Sequence, residues 1–169
     1  RSGRQSRIFL GTLDGRLFAL DARSGKPMPD FGSGGSIDFR AGVAEKFPNR
    51  VCGLTSPPVM FQNLVIAGSI VADGEPRGPA GDVRAFDART GKLVWQFHTV
   101  PRPHEFGNET WEKDSWVDRG GTNVWTTMSL DAQRGIVYLP LTSPSPDRYG
   151  GERKGQNLFG NSLVALNAR

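Results

Sequence analysis

Cysteine is nearly absent: the 169-residue chain has one, Cys52. No internal disulfide can form, and the thiol is read as a small buried hydrophobe unless it pairs outside this stretch. Long apolar runs are missing as well. The longest, Leu64–Ala72, already contains Gly68 and Ser69 and is too short for a helix that spans a bilayer. Any membrane association is expected only through regions outside this sequence. There is no basic stripe either. Lysines and arginines are scattered, the longest cluster is Arg153-Lys154, and the net charge is only +4, so nucleic acid is not an expected partner. The chain opens on Arg1 with no charged-then-apolar leader, so a signal peptide is either absent or already missing from this piece.

Turn formers, by contrast, are plentiful. The chain has 22 glycines and 12 prolines, about one residue in five. In a helical bundle each internal glycine costs about 1 kcal/mol and each proline about 3 kcal/mol, so that architecture is excluded. The pattern is too aperiodic for collagen and too rich in Val, Leu, Ile and Phe for a disordered tail. A soluble, strand-rich domain of ordinary length is the expectation.

The sequence repeats itself. Leu17-Phe18-Ala19-Leu20-Asp21-Ala22-Arg23-Ser24-Gly25-Lys26 returns as Val83-Arg84-Ala85-Phe86-Asp87-Ala88-Arg89-Thr90-Gly91-Lys92, and again as Leu163-Val164-Ala165-Leu166-Asn167-Ala168-Arg169. Each copy reads as a strand, a tight turn and a second strand. In Val83–Asp87 the apolar positions alternate around Arg84, as in a half-buried strand. Asp87 can accept N–H bonds within the turn, and Gly91 can supply a positive φ. Leu93–Phe97 reads as the strand that follows. Upstream strands are expected at Arg7–Leu10, Leu64–Ala67 and Ile136–Leu139, and earlier ones at Pro58–Phe61 and Thr126–Leu130, joined through Gln62-Asn63 and Ala132–Gly135.

Four antiparallel strands per unit, repeated at this length, describe all-β propeller blades. The expected division is a partial blade at 7–40, a complete blade at 54–97, a loop insert at 98–121 and a partial blade at 122–169. A β-sandwich of the same strands is the alternative, although sandwiches do not usually repeat a strand-turn phrase. Propellers need about four to eight blades to close, so these three read as a fragment of a longer protein.

The phrase Ala85-Phe86-Asp87-Ala88-Arg89-Thr90-Gly91-Lys92-Leu93-Val94-Trp95 resembles the tryptophan-docking repeat of quinoprotein propellers, the dehydrogenases that use pyrroloquinoline quinone (PQQ). Cofactor-free propellers of outer-membrane protein assembly carry similar phrases. Thr55-Ser56-Pro57-Pro58-Val59, Gly68-Ser69-Ile70-Val71-Ala72-Asp73 and Gly120-Gly121-Thr122-Asn123-Val124-Trp125 follow in that family's order. Tyr138-Leu139-Pro140 and Tyr149-Gly150-Gly151-Glu152-Arg153 are similar to its membrane-bound glucose and polyol dehydrogenase branch. The resemblance implies an eight-bladed ring in which Trp95 packs between blades.

PQQ is a flat, tricarboxylated ortho-quinone that needs an aromatic floor, hydrogen-bond donors and a divalent cation. The resemblance implies cofactor contacts from Thr55, Ala72, Thr122 and Trp125, with Trp125 as the floor and Val124 as a one-residue insertion. The residues alone leave Trp125 open as ordinary core and the threonines as plain strand residues. It implies a Ca²⁺ or Mg²⁺ ligand at Asp73, where the alcohol dehydrogenases usually show Glu, and another at Ser143, where they show Asn. Asp73-Gly74 also reads as a simple hairpin turn. The family's catalytic Asp would lie beyond Arg169 and the vicinal cysteines of its alcohol dehydrogenases before Arg1, so no catalytic residue is assigned here. His104, Glu109 and Asp114 in the Pro101–Asp118 insert are read as solvated loop. Arg77 and Arg153 are open between PQQ carboxylates and acidic neighbours.

The implied activity is oxidation of a sugar, polyol or alcohol, with electrons passed to ubiquinone or cytochrome c, on the periplasmic side of an inner membrane to which segments outside this sequence would anchor the protein. A non-catalytic propeller scaffold of outer-membrane assembly is the opposing reading.

Overall fold

The structure is a computed structural model and describes residues 6–169. Its strands are β1 (Arg7–Gly11), β2 (Arg16–Asp21), β3 (Ser36–Asp38), β4 (Cys52–Gly53), β5 (Val59–Phe61), β6 (Leu64–Ala67), β7 (Ile70–Val71), β8 (Val83–Asp87), β9 (Leu93–Phe97), β10 (Ser129–Asp131), β11 (Ile136–Pro140) and β12 (Leu163–Asn167). The helical content of the described residues is one 3₁₀ turn, Asn108–Thr110. No described helix is long and apolar enough to cross a membrane.

Each repeat builds an antiparallel meander: β1-β2-β3, then β5-β6-β8-β9, then β10-β11-β12. The repeated aspartates make the turns. Asp87 Oδ1 accepts from the N–H groups of Arg89 (3.2 Å) and Thr90 (2.7 Å), and Gly91 follows at φ +73°. Asp21 does the same with Arg23 and Ser24. The small β4-β7 pair, Cys52↔Val71 and Gly53↔Ile70, carries no signal in the sequence pattern. Cys52 is buried and free.

The middle sheet is covered on both faces. Leu64, Ile66, Val83 and Ala85 pack against Val137 and Leu139 of the third sheet. Val65, Ala67 and Phe86 point the other way, onto Leu17, Ala19 and Phe31 of the first. This corrects the half-buried reading of Val83–Asp87. Arg84 is only 4% exposed: its guanidinium lies 4.0 Å from the Phe39 ring centroid and donates to the carbonyls of Ala41 (2.8 Å) and Phe39.

Trp95 joins the second and third sheets, with Nε1 donating to Ala168 O at 3.3 Å. In the first repeat, Pro29 stands at the place of Trp95, and no strand follows the turn directly. Pro27 makes an isolated bridge to Leu20, the chain loops through Gly32, Gly34 and Gly35, and only then does β3 pair with β2. Proline has no N–H to continue the ladder, which accounts for the detour. Arg7 supplies the missing link, with Nη1 donating to Ala88 O at 3.2 Å; Ala88 is the repeat equivalent of Ala168. The third repeat's opening strand is also shorter than expected, starting at Ser129 rather than Thr126.

Strand alternation sends the connections of the second and third repeats to opposite ends of the sheets. In the first repeat the lengths are reversed, with the tight turn 12–15 beside 52–54 and the longer 22–35 connection beside Thr90. Tight turns such as 62–63, 88–92 and 132–135 lie at one end. The long connections 39–58, 68–82, 98–128 and 141–162 lie at the other, and every implied site residue is in them.

Candidate cofactor site

Residues 119–125 thread between the 68–82 and 141–145 segments, and glycines make room for them. A Cβ on Gly68 would sit 2.5 Å from Val124 O, and one on Gly81 would sit 2.6 Å from Asn123 Cβ. Asn123 pins the thread: Nδ2 donates to Ser69 O (2.8 Å), and Thr142 Oγ1 donates to Asn123 Oδ1 (2.6 Å). The N–H of Thr122 donates to Ser143 O (2.8 Å), and that of Ser145 to Gly120 O (3.0 Å).

Thr122 is fully buried at φ +48°, and its Oγ1 has no partner among the described residues. A buried hydroxyl left unpaired is costly, so such groups mark places where a ligand or water completes the bonding. Among the described residues Trp125 is 51% exposed, while Val124, at 1%, takes the core position. With Val124 turned into the core, the neighbouring indole faces outward. Thr55 Oγ1 (2.7 Å) and Ser56 Oγ (2.6 Å) both donate to Trp125 O, so the single hydroxyl proton of Thr55 is spent holding the tryptophan's backbone.

Ala72 and Asp73 lie along the segment 143–147. Ala72 O accepts from Ser145 Oγ (3.2 Å), and Asp73 O accepts from the N–H of Asp147 (3.2 Å). The Asp73 side chain is exposed. Asp73-Gly74 is not a hairpin turn: β7 pairs with β4, and β8 begins only at Val83. Ser143 Oγ lies 3.1 Å from Asn161 Oδ1. Among the described residues, no three His, Cys, Asp or Glu side chains are grouped to hold a metal. Asp73 and Ser143 thus offer one carboxylate and one hydroxyl on a shared seam, which are oxygen donors of the kind Ca²⁺ or Mg²⁺ takes.

Two residues of this seam escaped the sequence reading. Partial loss of solvent first, and the charge of Asp73 next, push the carboxyl of the exposed Asp147 above its usual range. It stands four residues after Ser143, and continuing that phrase past Pro144 would have found it. Arg119 is 7% exposed and bridges Ser115 O (Nε, 2.7 Å) and Ser145 O (Nη1, 2.9 Å); burial lowers its pKa. Nothing in the sequence distinguishes it from a surface arginine. Arg153 is taken up locally by Asn157 Oδ1 (3.1 Å) and Pro146 O (3.4 Å), while Arg77 is exposed. His104 and Asp114 are exposed loop residues, and Glu109 is exposed within the 3₁₀ turn Asn108–Thr110.

An exposed indole and an unsatisfied buried threonine hydroxyl on one loop fit a flat ligand rich in acceptors. Residues 2–169 match the PQQ-type family described as glucose/ethanol/alcohol dehydrogenase, β-propeller domain. The glycerol dehydrogenase large subunit of Gluconobacter thailandicus is 34% identical over 166 residues, covering 97% of this chain and 22% of the relative. Quinoprotein glucose dehydrogenase of Gluconobacter oxydans is 36% identical over 165 residues, covering 96% and 20%. Among solved structures, the quinohemoprotein alcohol dehydrogenase of Comamonas testosteroni superposes with a TM-score of 0.76 at 28% identity, over 95% of this chain and 24% of that one. The chain thus spans about a fifth of the length of these curated relatives. With its docked tryptophan, its three stacked sheets and its match from residue 2 to residue 169, the chain belongs to the β-propeller family of the PQQ-type glucose, ethanol and alcohol dehydrogenases.

Proposed function

We propose that this chain forms part of a PQQ-dependent dehydrogenase that oxidises a CH–OH group of a sugar, polyol or alcohol. The observation that carries the reading is Thr122 Oγ1, buried and unpartnered in a loop whose next aromatic, Trp125, is turned outward. Thr122 would donate to an acceptor of the cofactor. Trp125 would offer its face as a stacking floor, with Thr55 and Ser56 fixing its backbone. Asp73 and Ser143 would hold Ca²⁺ or Mg²⁺, and the Ala72 backbone, tied to Ser145, would line the same seam. When bound, PQQ supplies the two-electron acceptor chemistry that protein side chains lack. Electron delivery to ubiquinone or cytochrome c and a periplasmic location belong to the same proposal. A scaffold would need the docking repeats but not this combination of loop residues.

Titration of the cofactor-free complete protein with PQQ tests the reading. Trp125→Ala should weaken binding by about 1–3 kcal/mol through lost stacking area. Unchanged affinity in a folded variant would remove Trp125 from the site.

A further inference from the structure

Gly81 is seated directly against the thread that carries Thr122 and Trp125. A Cβ there would lie 2.7 Å from Gly121 O and 2.8 Å from Thr122 O, so the two backbones are in contact. Whatever fixes the next residue, Asp82, therefore supports the backbone of Thr122.

Asp82 is 2% exposed, and a carboxylate buried without partners is costly. Its Oδ2 accepts from Gln96 Nε2 (2.6 Å) and its Oδ1 from the N–H of Thr99 (3.2 Å), which fastens the start of β8 to the end of β9. His98 Nε2 stands 3.9 Å from the same Oδ2, and His98 Nδ1 is 2.7 Å from Glu105 Oε1. Glu105 also accepts the N–H of Arg102 (2.7 Å). One imidazole thus lies between a buried carboxyl and an exposed one. Burial pushes the Asp82 carboxyl above its usual range, while Gln96 and His98 pull it back.

We propose that Asp82 and His98 are positioning residues for the cofactor loop: they hold Gly81 against residues 121–123, and the charge on His98 sets how firmly the Thr122 hydroxyl is presented. An imidazolium donates from both ring nitrogens and an imidazole from one, so loss of the proton withdraws a donor from between two carboxylates. The guanidinium of Arg102 acts on both carboxylates from the insert, and that of Arg84 on Asp82 from β8. Glu45, Lys46, Asp118 and Arg119 line the cavity on the far side of Asp82. Lys46 is paired with Asp118 (2.8 Å), and Arg119 is spent on the carbonyls of Ser115 and Ser145. Histidine is the residue type in this group that ordinarily changes charge between about pH 5 and 8. His104, the chain's other histidine, is exposed further along the insert.

The inference rests on the reading of residues 119–125 as the cofactor loop, and its test begins without the cofactor. Amide hydrogen exchange of the cofactor-free complete protein is measured at about pH 6 and pH 8, corrected for the intrinsic rate. The reporters are the N–H groups of Thr122 and Asn123, which bond Ser143 O (2.8 Å) and Thr142 Oγ1 (3.1 Å). Their protection should fall roughly tenfold as the pH rises, the worth of one hydrogen bond to a charged group. In His98→Gln, which keeps a neutral donor, that fall should be absent while β6 and β8 exchange as in the wild type. Asp82→Asn, which keeps the shape and loses the charge, should lower protection of the two reporters at both pH values. The proposal is overturned by a wild-type protein without the fall, by the same fall in His98→Gln, by unchanged reporters in Asp82→Asn, or by losses that extend equally to β6 and β8. Titration with PQQ keeps the two readings apart. A wild-type protein that binds no PQQ ends the cofactor reading, while the exchange data still decide the linkage. Where PQQ binds, its dissociation constant should rise over the same pH interval in the wild type and not in His98→Gln. An equal rise in both, or none in the wild type, overturns the positioning role.

Discussion

Arg84 shows how much one residue's role depends on a neighbour distant in sequence. Its own strand phrase makes it the polar member of an alternating pattern, yet the first sheet covers it with Phe39. Arg84→Ala should cost about 2–4 kcal/mol in urea unfolding, since it opens a void and leaves two dry carbonyls without donors. Arg84→Met, which keeps the stem over the ring, should cost less, and equal losses would show that the stacking contributes nothing. At the seam, Asp73→Asn removes one anionic oxygen. It should raise the Ca²⁺ or Mg²⁺ concentration needed to protect the complete protein thermally, without altering the metal-free melting temperature. Wild-type metal dependence would leave Asp73 as loop structure. The loop residues themselves were legible as a family phrase. That Thr122 is orphaned, Trp125 outward and Arg119 buried depends on three separate connections meeting, and no local pattern records that.

At the scale of strands and turns the sequence was more explicit, because the determinants are local. The aspartate turns, the 62–63 and 132–135 connections and the four strands of the middle sheet follow from alternation and turn chemistry within a few residues. The failures have local causes of another kind: Pro27 and Pro29 replace a strand and a tryptophan, and Arg7 takes over the carbonyl that the tryptophan would have used. The turns also predict an acid limb. Asp87 is held below its usual 3.8 by the Thr90 hydroxyl and N–H, and Asp21 is lowered in the same way by Ser24. A depressed folded pKa gives stability that is present above the unfolded value and lost as the pH falls through the folded one. The melting temperature should therefore decline as the pH drops below about 4, the unfolded aspartate value. Asp87→Asn should flatten part of that decline, and an unchanged slope would mean that the turn carboxylates are not linked to folding.

Across the whole molecule, the inner strands β6 and β8 of the middle sheet are buried on both faces, whereas its edge strands and both outer sheets carry exposed apolar side chains. Ile8 (53%) and Leu10 (49%) on β1 and Leu163 (70%) on β12 are examples. Backbone amides open to exchange where burial is poor. Native-state hydrogen exchange should accordingly be slowest in β6 and β8 and faster in β1 and β12. Equal protection across all three sheets would show that they open as one unit. That the sheets stack was implied by the repeat. Which faces meet, Leu64 and Ile66 on one side and Val65 and Ala67 on the other, needed the coordinates, because a run that is apolar at every position does not say where each residue points.

In the second and third repeats, the segregation of long connections to one end and tight turns to the other also bears on how the chain can be edited. At Gln62-Asn63 the backbone has little slack: two residues join β5 to β6, and Asn63 O is bonded by the N–H of Ala88. A reporter peptide or protease tag spliced there would pry apart a strand pair. Between Lys113 and Asp114, both exposed and far from any ladder, the same cargo would ride on the surface and leave strand register untouched.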